Sequence, residues 1–329
     1  MSDALTSLIG GYQATAVLYA AVELDLPDLI GDAGVPLEEL ASSTACPPRE
    51  LERLLRLLLQ LDICSETSGL YRVTDSGRLL QRASATPHRD LVRLSVEQYL
   101  PAWSDIAGAL RSGRSAFKRL HGVGPFEWRA DHPRDGQLFV SWLNRHTSAT
   151  STDVASGLDL TGVEVVADIG GGLGALLLEL LFREEALSGV LVDQPVVLEQ
   201  ASAAWPQTLR HRTSFLPGDL FGDLKVEADA MILKSVLHDW NDENAAVVLR
   251  RCAATMSSHT RLLVVERLVN GPGYDPRISQ WLDMHMLVIT GGRERTVEEY
   301  ETLLQISGMR VSSVCATGGG FGVIEATVR

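Results

Sequence analysis

The run Asp168-Ile169-Gly170-Gly171-Gly172-Leu173-Gly174 constrains the fold of this chain more than any other stretch. Apolar, β-branched residues precede it, and a leucine-rich helical segment, Ala175 to Leu181, follows it. Glycine at four of five consecutive positions lets the backbone turn sharply and approach a ligand with no side chains in between. The stretch therefore reads as strand, tight turn and helix. The same alternation continues downstream. Strands are expected over 164–169, 189–193, 212–216, 228–233 and 261–266, separated by helical segments, which is the pattern of a parallel sheet covered on both faces. Residues 310–317 and 321–328, joined by Gly318 to Gly320, close the chain as an antiparallel hairpin at one sheet edge. The expected fold class is α/β, a Rossmann-like doubly wound sheet with an antiparallel terminal hairpin. A smaller, mainly α domain precedes it.

That first domain is placed at residues 1–100. Its apolar spacing predicts an amphipathic helix over 4–30, then helices starting near Pro36 and Pro47. A short hairpin over 63–74 forms a small wing. Three helices and a wing suggest DNA binding, but residues 1–100 carry eight arginines, no lysine and fourteen acidic side chains. A surface of that sign repels a polyanion, so the domain reads as an interaction module that pairs with a second subunit. Residues 101–156 form a helical connector whose aromatics, Trp103 and Phe139 among them, suit the lining of a cavity. Residues 157–329 form the ligand-binding domain.

Charge points the same way for the whole chain. A net charge of −13 disfavours nucleic acid and anionic membranes. No basic leader or long apolar run is present, so the expected location is cytoplasmic. The four cysteines lack any C-x-x-C spacing and read as small buried hydrophobes, with neither a disulfide framework nor a metal site expected.

The strand ends carry the chemistry. In open α/β sheets, ligands bind at the carboxyl ends of the strands. The glycine loop alone does not separate a nicotinamide cofactor, S-adenosylmethionine or a nucleotide. Asp193 ends the second strand 23 residues after Gly170, where a carboxylate accepts hydrogen bonds from ribose hydroxyls. Asp219 and Leu220 follow the third strand, suited to an exocyclic amine and a flat base. The fourth strand end, Ile232 to Asn244, delivers Lys234, Ser235, His238, Asp239, Trp240 and Asn241 to the same rim. Asp239 and Asn241 are expected to cap the next helix. His238 is not explained by capping and is the candidate catalytic residue.

As an ordered set, DIGGGLG at 168–174, LVDQP at 191–195, GDLF at 218–221, ILKSVLHDW at 232–240, VVE at 264–266 and GGRERT at 291–296 resemble the class I S-adenosylmethionine-dependent O-methyltransferases of plant phenolic and bacterial natural-product pathways. Upstream, FKRLHGVGPFEW and FVSWLNRHT are similar to that family's substrate-cavity helices. The resemblance implies S-adenosylmethionine as cofactor, a homodimer formed through the N-terminal domain, and a phenolic hydroxyl of a small aromatic molecule as acceptor. It also implies residue roles. Asp168, Gly170 and Gly172 would approach the methionine part of the cofactor and Asp193 its ribose. Asp219 and Leu220 would meet its adenine, with Lys234 reaching the adenine end and Ser235 beside it. His238 would be the base, flanked by Glu266 and Glu294. Trp103, Phe139, Leu143, His146, His285 and Met286 would line the acceptor cavity. Arg145, His146 and Arg129 raise the further expectation of a carboxylate-bearing acceptor. Two competing readings stand beside this one. A nicotinamide-dependent oxidoreductase has no need of GDLF and LHDW, and a regulator that kept the fold has no need of His238 with two glutamates.

Overall fold

A computed structural model describes residues 2–329. The chain divides into two compact units, Met1–Pro101 with Arg134–Arg145, and Ala102–Pro133 with His146–Arg329.

In the first unit the expected helix over 4–30 is three helices, Ser2–Ile9, Gly11–Glu23 and Leu26–Ile30. The first break falls at the Gly10-Gly11 pair, where two residues without Cβ weaken the helix. The second falls at Asp25, whose φ of 54° is left-handed, with Pro27 opening the next helix. Helix Leu37–Thr44 precedes helix Pro48–Gln60, which buries Leu51, Leu55 and Leu58 at i, i+4 and i+7. The wing is formed by β2 (Cys64–Thr67) against β3 (Leu70–Val73), and β1 (Val35–Pro36) adds a third antiparallel strand through Val35↔Tyr71. Two residues of strand carry too little periodicity to be read from sequence. Leu5, Leu8, Ile9 and Tyr12 leave an apolar row in solvent on the first two helices, the type of surface that marks an interaction site.

The second unit is built on seven strands in the order β6-β5-β4-β7-β8-β10-β9. These are β4 (Val165–Ile169), β5 (Ser188–Asp193), β6 (Thr213–Pro217), β7 (Ala230–Lys234), β8 (Arg261–Glu266), β9 (Met309–Ala316) and β10 (Gly322–Val328). Strands β4 to β8 are mutually parallel and β10 runs against both neighbours, so the hairpin closes one edge as expected. The strands are almost wholly apolar because helices cover both faces. Met231, Leu233 and Val264 pack in one core, and Ile232, Leu263 and Val265 pack in the other. Chain order reverses at β4, which has β5 on one side and β7 on the other, and that reversal opens a crevice at the strands' carboxyl ends. Of the cysteines, Cys64 and Cys252 are buried, but Cys315 lies exposed on the edge strand β9, so small-hydrophobe packing does not explain all four.

Candidate active site

The loop after β7 is held from three directions. Ser235 leaves the strand with φ 53°, a left-handed conformation that costs a residue with a Cβ. Leu237–Asp239 then form one 3-10 turn, and Asn241 caps helix Asp242–Thr255 by accepting the Asn244 amide at 3.0 Å. Asp239 does not cap. It lies inside the preceding turn, where burial raises its carboxyl against the pull of His238 and Arg129. From β8, Glu266 Oε1 accepts the amides of Val236 at 3.1 Å and Leu237 at 2.9 Å, so a fully buried carboxylate holds the start of the turn. From the 291–296 loop, Arg295 donates to the carbonyls of Leu237 at 2.9 Å and Trp240 at 2.6 Å and to Asp242 Oδ1 at 2.9 Å. The Arg293 amide donates to the carbonyl of His238 at 2.9 Å. Gly292 permits this docking, since a Cβ there would lie 2.0 Å from the His238 carbonyl oxygen.

Arg295 was given no role by sequence reasoning, although it stands inside GGRERT. Arginine supplies all but three of this chain's basic side chains, so its type carried no signal. Its complete burial does, because a buried guanidinium requires partners on every face.

This scaffold orients His238. Its Nδ1 lies 2.8 Å from Glu294 Oε1 and 3.6 Å from Glu266 Oε2, both glutamate side chains being fully buried. Burial lowers the affinity of the imidazole for a proton, but the two carboxylates outweigh it and raise the pKa to about 10. Burial lifts Glu266 itself to about 7, with His238 opposing and Glu294 adding to the rise. Nδ1 faces both carboxylates, so it carries a hydrogen and donates, leaving Nε2 as the nitrogen that exchanges a proton. Donor atoms of these three residues lie within 4.8 Å of one another, a spacing that a metal would also need. The 2.8 Å hydrogen bond from Nδ1 occupies the nitrogen such an ion would take.

Around β4, Gly170, Gly172 and Gly174 have φ of 70°, 60° and 80°, and a Cβ on Gly171 would lie 2.5 Å from the Asp168 carboxyl. Asp193 ends β5 with Oδ2 accepting the Gly172 amide at 2.8 Å and Oδ1 accepting the Gln194 amide at 2.7 Å. Burial raises Asp168 to about 7, Lys234 opposing and Asp193 adding. Two carboxylates beside a glycine loop that bears no cation suit a ligand with an amine, ribose and positive charge. Asp219 is exposed and accepts the Phe221 amide at 3.0 Å, while Leu220 packs against the adjoining core. Ser235 donates its amide to Val265 at 3.0 Å. The Lys234 ammonium lies 4.6 Å from the centre of the Phe321 ring, which Arg267 also covers at 4.5 Å. Phe321 leads into β10, on the opposite side of β7 from the loops that carry Asp193 and Asp219. Burial holds the lysine down to about 8 against the pull of Asp168 and Glu266.

The acceptor-side candidates fall in both units. Phe139 and Leu143 lie on the first-unit part of helix Pro133–Gly157, and His146 on the second-unit part. In the first unit Arg145 donates to the Ser84 carbonyl at 3.3 Å and lies 3.7 Å from Asp90, so its charge is already matched there and it does not support a carboxylate-bearing acceptor. In the second unit Trp103 Nε1 donates to His285 Nδ1 at 3.2 Å, and Met286 is buried one residue further along helix Pro276–Ile289. His146 and His285 are each lowered to about 4, by burial first and then by neighbouring cations that include His238. Arg129 is buried, and its charge reaches both His285 and Asp239.

A doubly wound sheet with one reversed strand, an acidic glycine-loop rim and a histidine backed by carboxylates defines a Rossmann-like methyltransferase. Comparison with known proteins then narrows the class: residues 103–310 match the O-methyltransferase domain and residues 6–82 the O-methyltransferase dimerisation domain. The chain is 33% identical to the phenazine O-methyltransferase of Lysobacter antibioticus, over 99% of its own length and 96% of that protein. It is 34% identical to a 3-amino-4-hydroxybenzoate 4-O-methyltransferase of Streptomyces cremeus, over 99% and 90%. Among solved structures, an O-methyltransferase of neocarzinostatin biosynthesis, in complex with S-adenosylhomocysteine and 1,4-dihydroxy-2-naphthoic acid, aligns with a TM-score of 0.82 at 27% identity, over 96% of each chain. The protein belongs to the O-methyltransferase family and is an S-adenosylmethionine-dependent enzyme. Among the described residues no helix is long and apolar enough to cross a membrane.

Proposed function

We propose that this enzyme methylates a phenolic hydroxyl of an aromatic small molecule in bacterial secondary metabolism, with His238 as general base. The observation that carries the reading is the pairing of His238 Nδ1 with Glu294 at 2.8 Å and Glu266 at 3.6 Å, which leaves Nε2 for the acceptor's proton. S-adenosylmethionine supplies an electrophilic methyl on a sulfonium. Asp168, the glycine loop and Asp193 hold its methionine and ribose parts, and Asp219 with Leu220 meets its base. Ser235 shapes the wall between these groups through its backbone.

Glu266 and Glu294 let His238 hold a proton up to about pH 10. Asp168, the glycine loop and Asp193 would hold the cofactor, whose sulfonium would supply a positive charge that disfavours the imidazolium. Neutral Nε2 then takes the hydroxyl proton as the oxygen becomes nucleophilic. A phenol titrates near ~10. General-base help of this type is worth roughly 10²–10⁴-fold. Glu294 fixes the tautomer, while Glu266 and Arg295 keep the turn from drifting. Trp103, His146, His285 and Met286 contribute to the acceptor cavity, and the apolar row on the first two helices pairs two subunits.

A carboxylate-bearing acceptor is the finer reading. Its support is buried Arg129, whose charge reaches the base loop, together with the hydroxybenzoate and naphthoic acid named for two similar proteins. Incubation with methyl-labelled S-adenosylmethionine and a panel of hydroxyaryl acids tests both levels. Label should enter an aryl ether. Label appearing on nitrogen or carbon, or on no aromatic acceptor at all, would overturn the reading.

A further inference from the structure

Glu294 holds His238 only as firmly as its own backbone is held, because a side chain on an irregular segment shares the freedom of the peptide units that carry it. Segment 291–295 starts from two glycines, the first at φ 82°, and individual contacts take the place of a ladder. The Gly291 amide donates to the Met286 carbonyl at 2.8 Å and the Gly292 amide to Thr290 Oγ1 at 3.1 Å. The peptide unit that bears Glu294 is taken at both ends. Its carbonyl, that of Arg293, accepts Arg295 Nη1 at 3.4 Å, and its amide donates to Asp283 Oδ1 at 2.9 Å. Asp283 sits on helix Pro276–Ile289, where regular backbone hydrogen bonds fix its Cα. Its second oxygen has no hydrogen-bond partner among the described residues, and the residue lines a cavity of about 380 Å³ beside Asp242 and Arg293. Those two neighbours are ion-paired, Asp242 with Arg295 at 2.8 Å and Arg293 with Asp242 at 3.7 Å, whereas Asp283 makes no ion pair among the described residues. A carboxylate without a countercharge is explained by the amide it holds.

We infer that Asp283 is a positioning residue for methyl transfer, whose Oδ1 fixes the Glu294 peptide unit so that Glu294 Oε1 meets His238 Nδ1. This rests on the proposed role of His238 as base and adds the residue that aims its partner. The chain of contacts is short: Asp283 Oδ1 to the Glu294 amide at 2.9 Å, then Glu294 Oε1 to His238 Nδ1 at 2.8 Å. The charges that raise the proton affinity of His238 against burial are those of Glu266, Glu294 and Asp239. Asp283 therefore reaches the base through the peptide unit it holds, and a neutral acceptor of the same shape serves as well. With no acceptor there, the Glu294 amide loses its partner and the segment shifts to find another. A displacement of about 1 Å in a catalytic group costs up to ~10²-fold in rate.

The test uses the full-length protein, with kcat and KM measured across pH for S-adenosylmethionine and a hydroxyaryl acid that the wild type methylates. Asp283→Ala should lower kcat roughly 10- to 100-fold, with both KM values within about threefold of wild type. Glu294 raises the pKa of His238, so a Glu294 held loosely raises it less, and the rising limb of kcat/KM should move to lower pH. Asp283→Asn keeps an acceptor for the amide and should restore both kcat and the limb to within about threefold and a few tenths of a unit of wild type. Affinity for S-adenosylhomocysteine, read by calorimetry, should be unchanged in both variants, which verifies folding. Should the alanine variant not fold, Asp283→Glu, which keeps the charge and moves the acceptor by one methylene, should show the same loss. Wild-type turnover in the alanine variant, a loss confined to KM, a limb displaced to higher pH, or an asparagine variant as impaired as alanine would each overturn the inference. His238→Ala, measured beside them, separates the two readings. Turnover lost there but intact in Asp283→Ala sinks the positioning role alone, whereas turnover intact in His238→Ala removes the base itself.

Discussion

His238 and His285 are the same side chain in two regions of one unit, and they are driven to opposite charge states. The loop after β7 places His238 against two acceptors, Glu294 at 2.8 Å and Glu266 at 3.6 Å, and its pKa rises to about 10. Helix Pro276–Ile289 places His285 against a donor, the Trp103 indole at 3.2 Å, and its pKa falls to about 4. Burial pushes both downward, so burial does not separate them. The charges that face them do: Glu266 and Glu294 raise His238, whereas Arg129 and His238 lower His285. A carboxylate favours the imidazolium and a neighbouring cation disfavours it, so one ring is equipped to move a proton and the other stays neutral. The two regions also differ in how they are held. The loop needs Glu266, Arg295 and Gly292 to fix a non-repetitive backbone, whereas the helix supplies its own hydrogen bonds.

The comparison breaks first at the base. His238→Ala should lower kcat by roughly 10²–10⁴-fold while the affinity for S-adenosylmethionine, read by calorimetry, stays within a few-fold of wild type. Turnover left intact would remove the distinction between the two rings. Next comes the clamp. Arg295→Met leaves the carbonyls of Leu237 and Trp240 and the Asp242 carboxylate without their donor. A loss of about 3 kcal/mol in denaturant unfolding follows from uncovering such groups. Because the clamp positions the base and touches no acceptor, kcat should fall at least tenfold with KM little changed. A KM effect alone would place Arg295 in the acceptor cavity instead.

How far the two regions were legible follows from the range of their interactions. Strand ends, the glycine loop, Asp193, His238, Glu266 and Glu294 stand in local patterns, and each strand of the large sheet lies within two residues of its expected span. Partnerships between distant segments were not legible. Nothing in the spacing of Trp103 and His285, 182 residues apart, announces a hydrogen bond. Arg145 and Arg129 look alike in sequence, yet one is matched by Asp90 and the Ser84 carbonyl while the other is buried beside the base loop. Lys234 occupies the expected strand end and still turns toward Phe321, because side-chain direction depends on an aromatic 87 positions later. The broken N-terminal helix shows the remaining weakness: apolar periodicity ran through Gly10-Gly11 and Asp25, and backbone preference overrode it.

A smaller effect sharpens the contrast by making one ring behave like the other. Glu294→Gln removes the carboxylate that makes the 2.8 Å contact with His238. Glu294 raises the folded-state pKa, so its loss lowers it, with Glu266 left to oppose burial. The base is active when deprotonated. The rising limb of kcat/KM against pH should therefore move to lower pH by about one unit or more, one unit being ~1.4 kcal/mol of differential interaction. Maximal turnover should fall about tenfold, because the amide no longer favours the imidazolium formed during proton transfer. A limb displaced to higher pH would mean that Glu294 does not hold the proton on Nδ1.

The smallest effect concerns the backbone of the loop itself. Ser235 adopts φ 53°, which costs a residue with a Cβ roughly 1–2 kcal/mol relative to glycine. Ser235→Gly relieves that strain but gives the unfolded chain more freedom, an opposing contribution of about 0.4–1 kcal/mol. Net stability should therefore rise by no more than about 1 kcal/mol, a shift of roughly 2–4 °C in Tm for a domain of 150–250 residues. Turnover should nonetheless fall a few-fold, since the glycine loosens the entry to the turn that aims His238. A gain in stability with no loss of turnover would show that Glu266 and Arg295 alone fix the base. In that case the left-handed serine is only the geometric consequence of docking the loop between them.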